Sequence, residues 1–339
     1  MRQIEITDGE AGQRLDKFLR KYMKDAPGGF LYKMLRKKNI TLNSKKADGS
    51  ERLAAGDLVR LFLSEEALAV FGAGDAGGRL SEKDKKQAEE GRAAYQLFGK
   101  LQILYEDRHV LLVDKPAGIL SQKADNRQLS LNEWLTGYLL ETGKITEQSL
   151  QTFHPSVCNR LDRNTSGIVI CGKSLYGSQE MSRIIKDRSL HKYYLLYVEG
   201  QMDRGEKIEG YLYKDKASNR VEVFHGRQPG SVRIVTVYRP VFTGKEETLV
   251  EAELITGKTH QIRAHLASAG FPLVGDGKYG NAQRNEERRQ KSGITHQLLH
   301  AYRVVFPKLP RELESLSGME IKAPLPPLFC RLGGGLPKL

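Results

Sequence analysis

The sequence predicts an α+β protein, with a mostly antiparallel mixed β-sheet flanked by helices and a small α/β module ahead of it. Three observations lead there. Strand-like segments at 191–199, 221–225, 232–238 and 247–255 follow one another, most without a helix between them; that succession belongs to an antiparallel sheet rather than to doubly wound alternation. The first 63 residues mix short amphipathic stretches, short strand-like stretches and basic runs. Between these regions, residues 64–100 change character, with four glycines in 71–78 and a nearly all-polar run at 81–90, as a flexible linker does, with a short helix as a further reading of its charged half. The expected organisation is therefore a module at 1–63, a linker at 64–100 and a large domain at 101–339, and 339 residues with 39% hydrophobic content can fill a core for each.

Taken in order, residues 13–24 place Leu15, Phe18, Leu19, Tyr22 and Met23 at helical spacing, with Arg14, Lys17, Arg20, Lys21 and Lys24 on other faces. After the Pro27-Gly28-Gly29 break, Leu31, Met34 and Leu35 mark a second short helix that runs into Arg36-Lys37-Lys38. Residues 40–43 and 57–63 read as strands separated by polar, glycine-containing turns. Residues 103–107 and 109–113 read as a strand pair, ended by the loop Asp114-Lys115-Pro116-Ala117-Gly118. A helix is expected at 129–140 around Trp134, a buried strand at 168–171 and a helix at 175–186. Residues 257–266 open another helix with Thr259 as its cap. The charged stretch 281–297 reads as a mobile insertion, and 298–306 as one more strand.

Composition narrows the function classes. No run approaches the roughly 18 apolar residues of a membrane span, and the start lacks the basic-then-apolar pattern of a secretory signal; the expectation is a soluble cytoplasmic protein with no membrane partner. Cys158, Cys171 and Cys330 form no C-x-x-C pair and leave an odd one over, which argues against a zinc site and a disulfide framework and leaves buried, reduced thiols. H-E-x-x-H and the Walker pattern are absent. The formal net charge of +13 attracts polyanions. Basic residues placed between short elements, Arg14 and Lys17 on the first helix and Arg36, Lys37 and Lys38 at the end of the second, suit gripping a folded RNA through its phosphates.

One stretch places a carboxylate where chemistry is worth seeking: Asp162 lies between Arg160 and Arg163, entering a Thr165-Ser166-Gly167 turn that feeds the apolar run at 168–171. In isolation a structural role is an equal explanation, since an aspartate before a turn commonly accepts backbone N–H groups. Downstream, His260 and His265 could suggest an acid–base pair. Positions five apart lie about 140° apart on a helix, so the two do not converge, and hydrogen-bonded structural histidines are the preferred reading. The glycine-rich piece at 275–280 reads as a tight turn.

Four separated stretches carry a resemblance. L-Y-E-D-x-H-V-L-L-V-D-K-P-A-G-I-L at 104–120, R-L-D-x-x-T-S-G at 160–167, K-x-Y with V-x-G at 192–200, and G-K-T-H-Q-I-R-A-H-L followed by V-G-D-x-x-Y-G at 257–280 are similar to the motifs of the RluA-type pseudouridine synthases, in the same order. The amino-terminal module, through R-L-D-K-F-L at 14–19, the basic end of the second helix and I-T-L-N at 40–43, resembles the small S-four-type RNA-binding domain. That pairing matches the ribosomal large-subunit branch of the family.

The resemblance implies an isomerase that breaks the glycosidic bond of a uridine, turns the detached uracil and rejoins it through carbon five, without a cofactor. It further implies that Asp162 is the essential aspartate, that Arg263 pairs with and orients it, and that Tyr194 stacks on the target base. Whether Asp162 attacks the anomeric carbon or removes a ribose proton stays open. Arg160 becomes the candidate to enter the space left by a flipped-out uridine. Lys115 belongs to a loop expected to support the cleft, with RNA contact as its second reading. Family members commonly carry histidine where this chain has Asn159, which leaves any role of that histidine in doubt. The expected partner is large-subunit ribosomal RNA and the expected state a monomer; a synthase acting on transfer RNA and a non-catalytic RNA-binding or ribosome-assembly factor are the alternatives.

Overall fold

The computed structural model describes residues 1–73, 80–125, 127–215, 220–330 and 332, and in it the chain forms two units. Unit 1 comprises Met1–Leu112, Gln122–Asn159 and Ile170–Arg183; unit 2 comprises Val113–Ser121, Arg160–Val169 and Ile184–Leu339. No helix of the described residues is long and apolar enough to cross a membrane.

Unit 1 begins with β1 (Arg2–Glu5), α1 (Leu15–Tyr22), α2 (Gly28–Arg36), β2 (Ile40–Leu42), β3 (Lys45–Lys46) and β4 (Leu58–Leu61). The strands form an antiparallel sheet in the order β1-β4-β2-β3. Leu15, Phe18 and Leu19 of α1 and Leu31 and Leu35 of α2 are buried with Ile40, Val59 and Leu61 of the strands, so the 3.6-residue and 2-residue periods read from the sequence meet in one core. The segment 64–100 is more structured than a linker with one short helix in its charged half. It holds α3 (Glu65–Val70) and the 17-residue α4 (Glu82–Phe98), each capped by a serine, Ser64 and Ser81. α4 packs along α5 (Leu131–Glu141) because both helices carry a glycine at the crossing: a Cβ on Gly137 would fall on the carbonyl of Gly91. Residues 74–79, which hold three of the four glycines of 71–78, lie outside the described residues. β5 (Ile103–Glu106) pairs with β6 (Val110–Lys115), and β7 (Ser156–Val157) pairs through Val157 and Cys171 with β8 (Ser166–Gly172). Asn159 accepts the N–H of Ile170 at 2.7 Å, which gives this residue a place in the edge of β8.

After α6 (Leu175–Lys186), unit 2 continues as β9 (His191–Glu199), β10 (Glu206–Asp215), β11 (Arg220–Phe224), β12 (Val232–Thr243) and β13 (Glu247–Leu254), then α7 (Gln261–Ser268), α8 (Ala282–Ser292), β14 (Leu299–Val305), β15 (Glu320–Lys322) and α9 (Pro327–Cys330). The sheet runs β11-β10-β12-β13-β9-β14-β8, with β15 on β14. Its pairs are antiparallel except β14 with β8, which are parallel through His300–Ser166 and Ala301–Gly167. The fold is thus the mixed, mostly antiparallel α+β architecture that the succession of strands predicts.

Four expectations are corrected. β10 went unrecognised, because its exposed face is charged and Gly210 interrupts it. Residues 281–297 contain the helix α8, started by the Asn281 side chain accepting Arg284 N–H at 3.0 Å and tied down where Arg288 meets Glu199 at 3.0 Å. Thr259 is not the cap of α7; His260 occupies that position, with φ +52° and no side-chain capping bond. Cys171 is buried, but Cys158 is half-buried and Cys330 exposed.

Candidate active site

In unit 2 the backbone on both sides of Asp162 is gripped by the loop that follows β6. The Ser121 hydroxyl accepts the N–H of Leu161 and donates to its carbonyl, both at 2.9 Å. On the other flank, the carbonyl of Arg163 accepts Gly118 N–H at 2.9 Å and Lys115 Nζ at 3.1 Å. Lys115 Nζ also donates to the carbonyls of Ile119 at 2.8 Å and Pro116 at 3.0 Å, so the three ammonium donors face three carbonyls. Burial pushes Lys115 down to about 7, against the raising charges of Asp162 and Asp114. With its side chain fully buried, Lys115 is turned away from any phosphate; the RNA contact considered for it is replaced by a structural one. The turn then closes with Thr165 N–H on the Asp162 carbonyl at 3.1 Å. Gly167 follows at φ +110°, where a Cβ would fall on the backbone of Ala301, so only glycine lets β8 approach β14 here.

Arg263 arrives from α7, and the rest of the Gly-Lys-Thr-His-Gln-Ile-Arg-Ala-His motif fixes that helix. Gln261 and His265 are four apart and share a face. The Gln261 amide donates to Val235 O at 3.0 Å and Thr236 Oγ1 at 3.1 Å and accepts from Thr256 Oγ1 at 2.9 Å and Lys258 N–H at 3.1 Å. His265 Nδ1 lies 3.1 Å from Thr236 Oγ1, and burial pushes its ring down to about 4. With that face bound to β12, Arg263 points away from it and meets two carboxylates. Its Nε and Nη2 donate to the two oxygens of Asp276, at 2.7 and 2.9 Å, and its Nη1 donates to Asp162 Oδ2 at 2.9 Å.

The two acids differ in exposure: the Asp276 side chain is fully buried, whereas 26% of the Asp162 side chain is open. Burial would raise the Asp276 carboxyl, but Arg263 and the N–H groups of Lys278 and Tyr279 reverse this and hold it below the usual carboxylate range. Arg263, which burial alone would lower, is pushed above its ordinary value by Asp276 and then Asp162. The result is a permanently charged guanidinium with one carboxylate behind it and one in front.

Tyr194 stands on β9 between Ala252 of β13 and Ala301 of β14 in the register, small neighbours that leave room for its ring. It is buried, and burial followed by the charge of Asp162 raises its hydroxyl well above the ordinary value. Tyr193 alternates to the opposite face, where its ring lies 3.7 Å below the Arg303 guanidinium. Of the adjacent tyrosines, only Tyr194 faces Asp162. Arg160 is exposed at the start of the turn, and Arg14, Lys17, Arg36, Lys37 and Lys38 are exposed in the first module of unit 1. Asp276 and Tyr279 were overlooked as partners of Arg263, although both stand in the quoted D-x-x-Y-G stretch; the turn reading of 275–280 was correct for the backbone and silent about its side chains.

Comparison with known proteins gives the family. Residues 109–268 match the family of RNA pseudouridylate synthases. The chain is 30% identical over 340 residues to ribosomal large subunit pseudouridine synthase C of Pasteurella multocida, spanning 99% of this chain and 94% of that protein. It is likewise 30% identical over 323 residues to the protein so named in Vibrio cholerae, spanning 95% and 92%. In fold, it is similar to human RNA pseudouridylate synthase domain containing 4, with a TM-score of 0.56, 19% identity, and 72% of this chain and 95% of that one covered. The chain belongs to the RNA pseudouridylate synthase family, in its RluA-type branch, and is an RNA-modifying isomerase.

Proposed function

We propose that this synthase isomerises uridines of large-subunit ribosomal RNA, with Asp162 as the carboxylate that acts at the sugar. The carrying observation is the asymmetry around Arg263: Asp276 occupies one edge of the guanidinium, and the remaining Nη1 holds Asp162 at 2.9 Å with part of its carboxylate open. Such a carboxylate is oriented and still reachable, which action at a glycosidic carbon requires. In the reaction the bond between C1′ and N1 breaks and one between C1′ and C5 forms. C5 loses a proton and N1 gains one, so no redox partner is consumed and the chemistry asks for no cofactor. Tyr194 supplies the flat surface for the loose base, and Arg160 the side chain that fills the space of the extruded nucleotide.

The ribosomal target rests on what the Pasteurella and Vibrio relatives are named for. The exposed Arg14, Lys17, Arg36, Lys37 and Lys38 add a phosphate grip from a module of S-four type. Incubating the chain with transcribed ribosomal RNA and mapping pseudouridine tests the reading. Conversion in large-subunit RNA that disappears with Asp162→Ala, while RNA binding stays, is the expected result. Conversion restricted to transfer RNA would replace the target, and full conversion by Asp162→Ala would remove the assignment of the aspartate.

A further inference from the structure

His260 stands outside the helix it was assigned to. Its φ of +52° is a left-handed conformation uncommon for a residue with a side chain; it swings the imidazole off the α7 axis into contact with the turn at 275–280. There Nδ1 lies 2.9 Å from the Tyr279 hydroxyl, and that hydroxyl accepts the N–H of Val221 at 3.0 Å. The Tyr279 ring also lies beneath the Arg263 guanidinium, 5.3 Å from Cζ to the ring centre, so it is held on two sides. The other ring nitrogen, Nε2, points to Asp162 and stops 3.9 Å short of Oδ2, beyond hydrogen-bond reach. Among the described residues it has no acceptor. The imidazole side chain is 8% exposed, so a nearly enclosed ring leaves one nitrogen unspent beside the reacting carboxylate.

The bonds around Tyr279 favour one tautomer. With one lone pair of its oxygen used by Val221, the Tyr279 hydroxyl is assigned as donor to Nδ1, and that assignment places the ring proton on Nε2. Burial lowers the basicity of His260; Asp162 pulls the other way, and Arg263 and Lys278 push it down again. The lowered basicity favours the uncharged ring, and among the described residues the Asp162 carboxylate is hydrogen-bonded to Arg263 alone.

We propose that His260 is a further substrate-binding residue, whose Nε2–H, fixed in direction by Tyr279, donates to the 2′-oxygen of the target ribose. This rests on the reading that Asp162 acts at the sugar. If Asp162 reaches the anomeric carbon, a donor about one hydrogen bond further along meets the oxygen on the adjacent carbon. That oxygen is also what distinguishes RNA from DNA.

The test uses the full chain and two RNA oligonucleotides spanning the mapped uridine, one with ribose and one with 2′-deoxyribose at the target. Wild type should bind the ribose RNA about tenfold more tightly, as the loss of one hydrogen bond predicts. His260→Ala should bind the two alike while still unfolding in one cooperative transition. His260→Gln, whose amide N–H extends in the same direction, should recover part of the ratio, and Tyr279→Phe should narrow it. A His260→Ala variant that keeps the wild-type ratio, or weakens both RNAs equally, overturns the proposal, as does a wild-type protein that does not distinguish the RNAs. Full conversion by Asp162→Asn would instead undo the reading of Asp162, which the binding ratio does not measure.

Discussion

The turn at 160–167 and the turn at 275–280 each bring one aspartate to the same guanidinium, yet they place it in opposite circumstances. Asp276 is sealed in, with both oxygens used by Arg263 and two backbone N–H groups. Asp162 spends one oxygen on Arg263 and keeps a quarter of its side chain open. One residue type and one partner thus give an anchor and, on our proposal, an agent. What separates them is the number of bonds already made and the access of a substrate to what remains.

The comparison breaks first at the agent. Asp162→Asn is nearly isosteric, so it should lower the single-turnover conversion rate by at least about 10³-fold while the melting temperature moves by no more than about 2 °C. A rate near wild type would make both aspartates structural. The anchor should fail the other way: Asp276→Ala leaves a buried guanidinium without its main partner and should cost about 3–5 kcal/mol, read as a lower urea midpoint. If its stability is unchanged and only its rate falls, the two roles have been exchanged.

A smaller effect tests the helix that delivers Arg263. His265 and His300 are both pushed down to about 4 by burial, below the roughly 6.5 of an unfolded histidine. Between pH 6.5 and pH 4 the unfolded chain therefore binds more protons than the folded one, so stability falls on acidification, by about 1–3 kcal/mol for each ring. Denaturant titrations across that window should show His265→Asn with a shallower loss than wild type; parallel curves would mean that the ring is already protonated in the fold. The smallest effect on stability concerns the adjacent tyrosines. Tyr193→Leu removes a cation–π contact worth about 0.5–1 kcal/mol and should leave conversion intact, whereas Tyr194→Leu should abolish it at similar stability. Equal losses of conversion would mean that strand alternation does not separate their roles.

How much of this could be read beforehand depended on whether a residue's meaning is local. The apolar spacing of Leu15, Phe18 and Leu19, the uninterrupted burial at 166–172 and the alternation of Tyr193 and Tyr194 are local facts, and they became the expected helix, strand and opposite faces. α8 was misread because it has no apolar stripe; an asparagine cap and arginines that reach Glu199 and Glu247 hold it. Asp276 was visible as a letter in a motif, but its meaning is Arg263, thirteen positions earlier. His260 and His265 do lie apart, each with its own hydrogen bond, but the geometry that separates them is not the expected one. Treating 257–266 as one helix set His260 and His265 about 140° apart, whereas α7 starts at Gln261 and His260 turns out through a left-handed backbone.

The burial of Lys115 has a practical consequence for anyone handling the protein. Lysines such as Lys37 and Lys38 lie open to an amine-reactive reagent, whereas the Lys115 amine is enclosed by the carbonyls that border Asp162. Its acylation would therefore register the opening of that loop and no other event at the surface. A mass spectrum of labelled peptides then becomes a gauge of whether the frame around the aspartate is intact, independent of any RNA.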